Sequence, residues 1–209
     1  MARDRYRIAI DGDWSLVDLY RFPRTYSQLY SFFYAILQRD TVDLERLQHV
    51  FQAHPWLGGY SAVNFYNELG FLVPPLDRPR IESIRYESPG WIELGLLVGA
   101  AVAIGKVVSA FTTAGGQLNA LYSDIYKGLQ HRKLMRIKVK REELRLDREE
   151  VQYLEQSCQS LARLLGFKDL EQLQDLTPNR LATLKVLLSL YRRVKALAEY
   201  EKSGRARLP

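Results

Sequence analysis

The chain has one cysteine and three histidines, and this scarcity removes whole classes of chemistry. A single thiol, Cys158, excludes an intrachain disulfide and suits a reducing compartment. His49, His54 and His131 leave little for a zinc or iron site. His49 and His54 are five apart, a poor spacing for one helical face, and Pro55 follows. The sequence contains no Cys-x-x-Cys, no His-Glu-x-x-His, no Gly-rich loop ending in Lys-Ser/Thr and no Gly-x-Ser-x-Gly elbow. Carboxylate pairs such as Glu142-Glu143 and Glu149-Glu150 sit in charge-mixed stretches and read as solvated faces. Cys158 falls on the apolar face of a helical pattern, where a thiol is inert. No catalytic residue, metal ligand or cofactor is therefore assigned, and the expectation is binding rather than catalysis. "MARDRYRIAIDGD" lacks the apolar core of a secretory signal, so the expected location is cytoplasmic, with membrane association as the alternative.

What is present is an ordinary globular composition: 209 residues, 47% hydrophobic and 26% charged. That length can bury a sizeable core. The net charge of +6 favours anionic partners only where the cations cluster. They do so in "KGLQHRKLMRIKVKR", 127–141, where Lys127, Arg132, Lys133, Arg136, Lys138, Lys140 and Arg141 occur without an acid. Met135, Ile137 and Val139 alternate with Arg136, Lys138 and Lys140, which predicts a strand with one cationic face. Phosphates of nucleic acid or anionic lipid are the partners such a face suits. The acidic "REELRLDREE" that follows can neutralise part of it. Arg192, Arg193 and Lys195 form a second cluster, and Lys202, Arg205 and Arg207 a third.

The local patterns predict an α+β protein. Tyr6, Ile8 and Ile10 alternate into Asp11-Gly12, a favoured hairpin turn, so strands are expected at 6–10 and 13–20. Thr25 and Gln28 have the form of a capping box before an aromatic-rich helix carrying Tyr26, Leu29, Tyr30 and Phe33. Those aromatics can stack bases, but the helical spacing reads as core. A short helix with Leu44, Leu47 and Phe51 inward follows, then one capped by Ser61 and closed by Gly70. "RIESIRYESPG" reads as a strand stopped at Pro89-Gly90. The C-terminal half is mostly helical and ends in a helical hairpin. Asp147 and Glu150 open its first arm, Gly166 closes it, and Thr177-Pro178 opens its second. "SGRARLP", 203–209, reads as a solvated tail. Three units result: 1–90 α+β, 91–131 apolar and amphipathic helices, and 132–209 basic segment and hairpin.

"GWIELGLLVGAAVAIGKVV", 90–108, is the most apolar run. Its charge-free core, Leu94–Gly105, is shorter than the roughly 20 apolar residues a spanning helix needs. An apolar helix over 92–111 is expected instead. Gly95, Gly99 and Ala103 recur every four positions, as do Ala101, Gly105 and Ser109. Small residues at that spacing let a second helix approach closely. A strand ending in Ser-Pro-Gly before an apolar helix resembles an arrangement in uncharacterised bacterial proteins, which implies a bacterial source and no function.

The sequence thus points to an oligomerising or complex-forming subunit. Gly95, Gly99, Ala103 and Gly105 would pack on self or another subunit, and 127–141 would meet an anionic partner. The alternatives are a nucleic-acid-binding accessory protein and a membrane-acting effector that inserts helix 92–111.

Overall fold

In a computed structural model, residues 4–39, 41–54, 59–136, 146–167 and 170–209 are described. The fold is α+β, with an antiparallel sheet and a mostly helical C-terminal half. In chain order the elements are β1 (Asp4–Ile10), α1 (Leu16–Leu37), α2 (Leu44–Ala53), α3 (Gly59–Leu72), β2 (Arg80–Arg85) and β3 (Gly90–Leu96). Then come α4 (Val98–His131), a 3-10 turn (Leu134–Arg136), α5 (Arg148–Leu164), α6 (Glu171–Leu176), α7 (Arg180–Lys202) and β4 (Ala206–Arg207).

The sheet order is β2-β3-β1-β4, and every pairing is antiparallel. Side chains alternate faces along a strand. Tyr6, Ile8 and Ile10 therefore share a buried face with Ile92, Leu94 and Leu96, with Ile8 opposite Ile92. α4 packs on β1 and is flanked by α1 and α7, while α5 packs on α4 and α7. One apolar cluster runs from Tyr6 through the aromatics of α1 to Leu208.

The N-terminal hairpin does not form. Gly12 adopts the positive φ (68°) that an Asp-Gly turn uses, but the chain then enters α1. Ser15 and Asp18 build the capping box: the Asp18 N–H donates to Ser15 Oγ (3.2 Å) and the Ser15 N–H to Asp18 Oδ2 (3.0 Å). Trp14 is buried, stacked on Tyr200 with ring centroids 5.4 Å apart. Thr25 and Gln28 lie within α1, which continues through Pro23. Proline removes one helical hydrogen bond, yet the apolar stripe continues on both sides, with Phe22 and Tyr26 buried. Tertiary packing thus overrides the break. The α1 aromatics are core as expected, except exposed Tyr20. α3 begins two residues before Ser61, which is buried within it, and runs past Gly70.

The apolar run 90–108 is not one helix. Gly90–Leu96 is β3, and α4 begins at Val98. The Leu97 N–H at the junction donates to Tyr30 Oη (3.0 Å). Gly90 is required where β3 starts, since a Cβ there would collide with the Arg85 carbonyl oxygen.

In the C-terminal half the Asp147–Glu150 capping box is present. Gly166, with φ 79°, closes α5: its N–H donates to the Arg163 carbonyl (3.0 Å), and the Phe167 N–H to the Ala162 carbonyl (3.0 Å). α7 starts from Asn179 rather than Thr177, because the Asn179 side chain accepts the Ala182 N–H (3.0 Å). Thr177 ends α6, its Oγ1 2.6 Å from Thr183 Oγ1. Residues 203–209 are no solvated tail. β4 pairs with β1, and Ala206 and Leu208 are buried. β1 would otherwise leave an unpaired edge over an apolar face.

Candidate functional site

The small-residue stripe is not one helical face, because its members fall on a strand and a helix. Gly95 lies in β3, beneath the Glu82 side chain, so it shares no helical face with Gly99. Gly99 is exposed near the start of α4, with nothing within 4 Å of where a Cβ would sit. Ala103 is half-buried. Gly105 is buried against the chain's own Pro209, whose carbonyl oxygen occupies the space a Cβ would need. Close packing here is internal to the fold. α4 is long and apolar enough to cross a membrane, with mean hydropathy 1.4 over its most apolar window. Yet Ala100, Ala101, Ile104, Val107, Val108 and Phe111 are all buried within the chain.

The basic stretch is divided. Lys127 is exposed on the last turns of α4. The Arg132 guanidinium lies 4.1 Å from the Tyr153 ring centroid. Lys133 is exposed and takes a left-handed φ of 57°. Met135 and Arg136 belong to the 3-10 turn, where no strand forms. Lys138, Lys140 and Arg141 lie outside the described residues. In the other cation clusters, Arg205 pairs with Asp18 (3.1 Å), and Lys202 reaches Phe111 with Nζ 5.5 Å from the ring centroid.

Cys158 is buried, and burial pushes its thiol up to about 12. His54 is buried beside Glu68, with Nε2 3.6 Å from the carboxylate. Burial, the largest influence, lowers its pKa. Among the described residues, no group of three or more His, Cys, Asp or Glu side chains could hold a metal ion.

The outer sheet face is charged but internally paired. Arg7 and Arg85 flank the Trp91 ring at 4.8 and 4.9 Å. Arg7 pairs with Glu93 (2.7 Å), Arg5 with the same carboxylate (3.5 Å), and Arg85 with Glu87 (2.6 Å).

A different surface is left uncovered. β2 is an edge strand, exposed along its length. Ile81 and Ile84 register with Leu94 and Ile92, so they extend the apolar sheet face past its covering helices. The first turns of α1 run beside them, tied at both ends. The Trp14 N–H donates to Tyr86 Oη (3.4 Å), while Pro23 and Ile81 line one apolar cavity of about 180 Å³ with Phe22, Ile92 and Leu94. Between those ties α1 presents Leu16, Leu19 and Tyr20. Leu16 is 85% exposed, Tyr20 59%, Ile81 52%, Ile84 53% and Tyr86 61%. Single exposed apolar residues are ordinary, but a contiguous set marks an interaction surface.

No family model, curated protein or solved structure matches this chain.

The sequence reading missed this surface, although "SLVDLY" and "RIESIRY" carry it. Leu16, Leu19, Tyr20 and Pro23 have helical spacing, and "SLVD" has the form of a capping box. The hairpin reading of 13–20 hid both. Ile81 and Ile84 are three apart, which breaks strand alternation. The pairing skips between Ile81 and Ser83, and this bulge returns both isoleucines to one face.

Proposed function

We propose that this protein is a complex-forming subunit that assembles as a dimer through the apolar α1–β2 surface. The exposure of Leu16, Tyr20, Ile81, Ile84 and Tyr86, on two segments linked by the Trp14 to Tyr86 hydrogen bond and by the cavity that Pro23 and Ile81 line, carries the reading. The surface holds both a groove, between Pro23 and Ile81, and projecting side chains, Leu16 and Tyr20. A surface with both parts can complement its own copy across a two-fold axis. Side chains rather than backbone make the contact. The bulge at β2 and its charges Arg80, Glu82 and Arg85 oppose strand addition at this edge. Lys127 and Lys133 remain exposed for an anionic partner of the assembly.

The mass in solution tests this. Light scattering of the wild type at micromolar concentrations should give about twice 24.2 kDa. The double variant Leu16→Glu, Tyr20→Glu should give a folded monomer, since both side chains project from the fold. A folded wild type that stays monomeric throughout that range would sink the reading.

A further inference from the structure

A second cavity, of about 340 Å³, opens between α1 and α3 on a side lined by no carboxylate. Arg24, Gln28 and Ser31 come from α1, Asn67 and Phe71 from α3, and Arg78 from the connection to β2. Tyr66 forms part of the wall, and the Arg193 guanidinium of α7 lies 3.7 Å from its ring centroid.

What sets these arginines apart is their convergence on one cavity without a carboxylate in its lining. Arg5, Arg7, Arg39, Arg85, Arg180 and Arg205 each lie within 4 Å of a carboxylate. The acceptors of these arginines among the described residues are neutral. Arg24 donates to Tyr20 Oη, and Arg78 Nε to the Val73 carbonyl (3.0 Å). Arg193 donates from Nε to Gln28 Oε1 (2.9 Å) and from Nη1 to the Ser189 carbonyl (3.1 Å). Among the described residues, none of these three forms an ion pair. Burial, together with the neighbouring charges of Arg192 and Arg24, lowers the Arg193 pKa, with Tyr66 opposing the shift. Crowded cations without counter-charge are unfavourable in the free protein, and an anion bound among them would offset that repulsion. The cavity is larger than one phosphate requires and falls in the range of small-molecule sites. Phe71 projects at its rim, 71% exposed, as a flat apolar surface for a planar ring.

We propose that this cavity binds a free nucleotide, with Arg24 and Arg78 on the phosphates and Phe71 against the base. No carboxylate lines the cavity, so the arginines are the groups that meet the phosphate charge and the test is made without a divalent cation. The site adjoins the dimer surface, since Tyr20 of that surface accepts from Arg24, so the dimer is tested separately by the mass of the wild type.

Calorimetric titration with ATP in EDTA, with pyrophosphate and with adenosine tests the proposal. ATP should bind saturably and tighter than pyrophosphate, and adenosine at least about tenfold more weakly than ATP, given the strength of charge-assisted contacts. Arg24→Gln should weaken ATP and pyrophosphate alike by about tenfold, the worth of one such contact. Arg78→Gln serves as the second cationic variant. Phe71→Ala should weaken ATP and leave pyrophosphate unchanged. All three side chains are exposed, and unaltered thermal melts would establish that the variants fold. The site is overturned if ATP gives no saturable heat at millimolar concentration, or if neither arginine variant changes its affinity. It is equally overturned if adenosine binds as tightly as ATP. If pyrophosphate matches ATP and Phe71→Ala changes neither, the cavity is a phosphate site and the nucleotide assignment fails. The mass measured by light scattering depends on none of these results, so failure here leaves the dimer proposal standing, and the converse holds.

Discussion

Two glycines of α4 should respond oppositely to one substitution. Replacing a helical glycine by alanine adds about 1 kcal/mol of helix propensity where the new methyl group meets open space. Gly99 offers that space, since no atom lies within 4 Å of its Cβ position. It lies in the first turn, where the full gain is not realised, so Gly99→Ala should stabilise by up to about 1 kcal/mol. At Gly105 the Cβ would collide with the Pro209 carbonyl oxygen and sit 3.6 Å from Tyr6 Oη. Tyr6 Oη itself donates to that carbonyl (3.2 Å). The C-terminal segment must therefore move, breaking this contact and loosening β4. Overpacking costs about 1–3 kcal/mol, which cancels the propensity gain and leaves Gly105→Ala destabilised by about 0–2 kcal/mol. Gly105→Ala should be the less stable variant, by up to about 3 kcal/mol, read as a shift in the urea midpoint at constant slope. Hydrogen exchange at the β4 amides should quicken in Gly105→Ala only. If Gly105→Ala is as stable as Gly99→Ala and β4 keeps its protection, the tail does not pack on α4 and the reasoning is wrong.

Lys185 is buried, with Nζ donating to the Met135 carbonyl (3.4 Å), and burial lowers its pKa from 10.5 to about 8. Between those two values the unfolded chain binds more protons than the folded one, so stability should rise with pH across that window. Lys185→Met should be more stable than the wild type at pH 7 and should flatten that rise in urea titrations; an unchanged slope would refute the assignment. Cys158 should resist a thiol reagent at pH 8 in the native protein and react fully in denaturant, because only the exposed thiolate is nucleophilic. Rapid native labelling would place the thiol at the surface instead.

Much of the fold was legible because it is written in local periodicity. The Asp147–Glu150 box and the Gly166 terminus satisfy backbone groups within one turn, so neighbouring residues determine them. The α1 aromatics recur at helical spacing and pack inward for that reason. Where two local readings competed, the sequence did not choose. Asp11-Gly12 suits a hairpin, and Ser15-x-x-Asp18 suits a helix start. The helix prevails once Trp14 and Phe22 can pack on Tyr200, at the far end of the chain. Ile92, Leu94 and Leu96 carry a period of two inside a run whose small residues repeat every four. Only the pairing of β3 with β1 and β2 decides for the strand.

The sequence by itself determined the α+β class, the helical C-terminal half and the buried state of Cys158. Each follows from patterns within a few turns of chain. The tertiary structure alone decided the two surfaces on which function is proposed. Pro23 of α1 and Ile81 of β2 meet at one cavity because β2 pairs with β3 and β3 with β1. Arg24, Arg78 and Arg193 come together from α1, a connection and α7, and their lack of counter-charge depends on which carboxylates the fold leaves nearby. Hydrogen bonds and helical spacing act over a few residues, whereas surfaces and unpaired charge are properties of distant segments brought together.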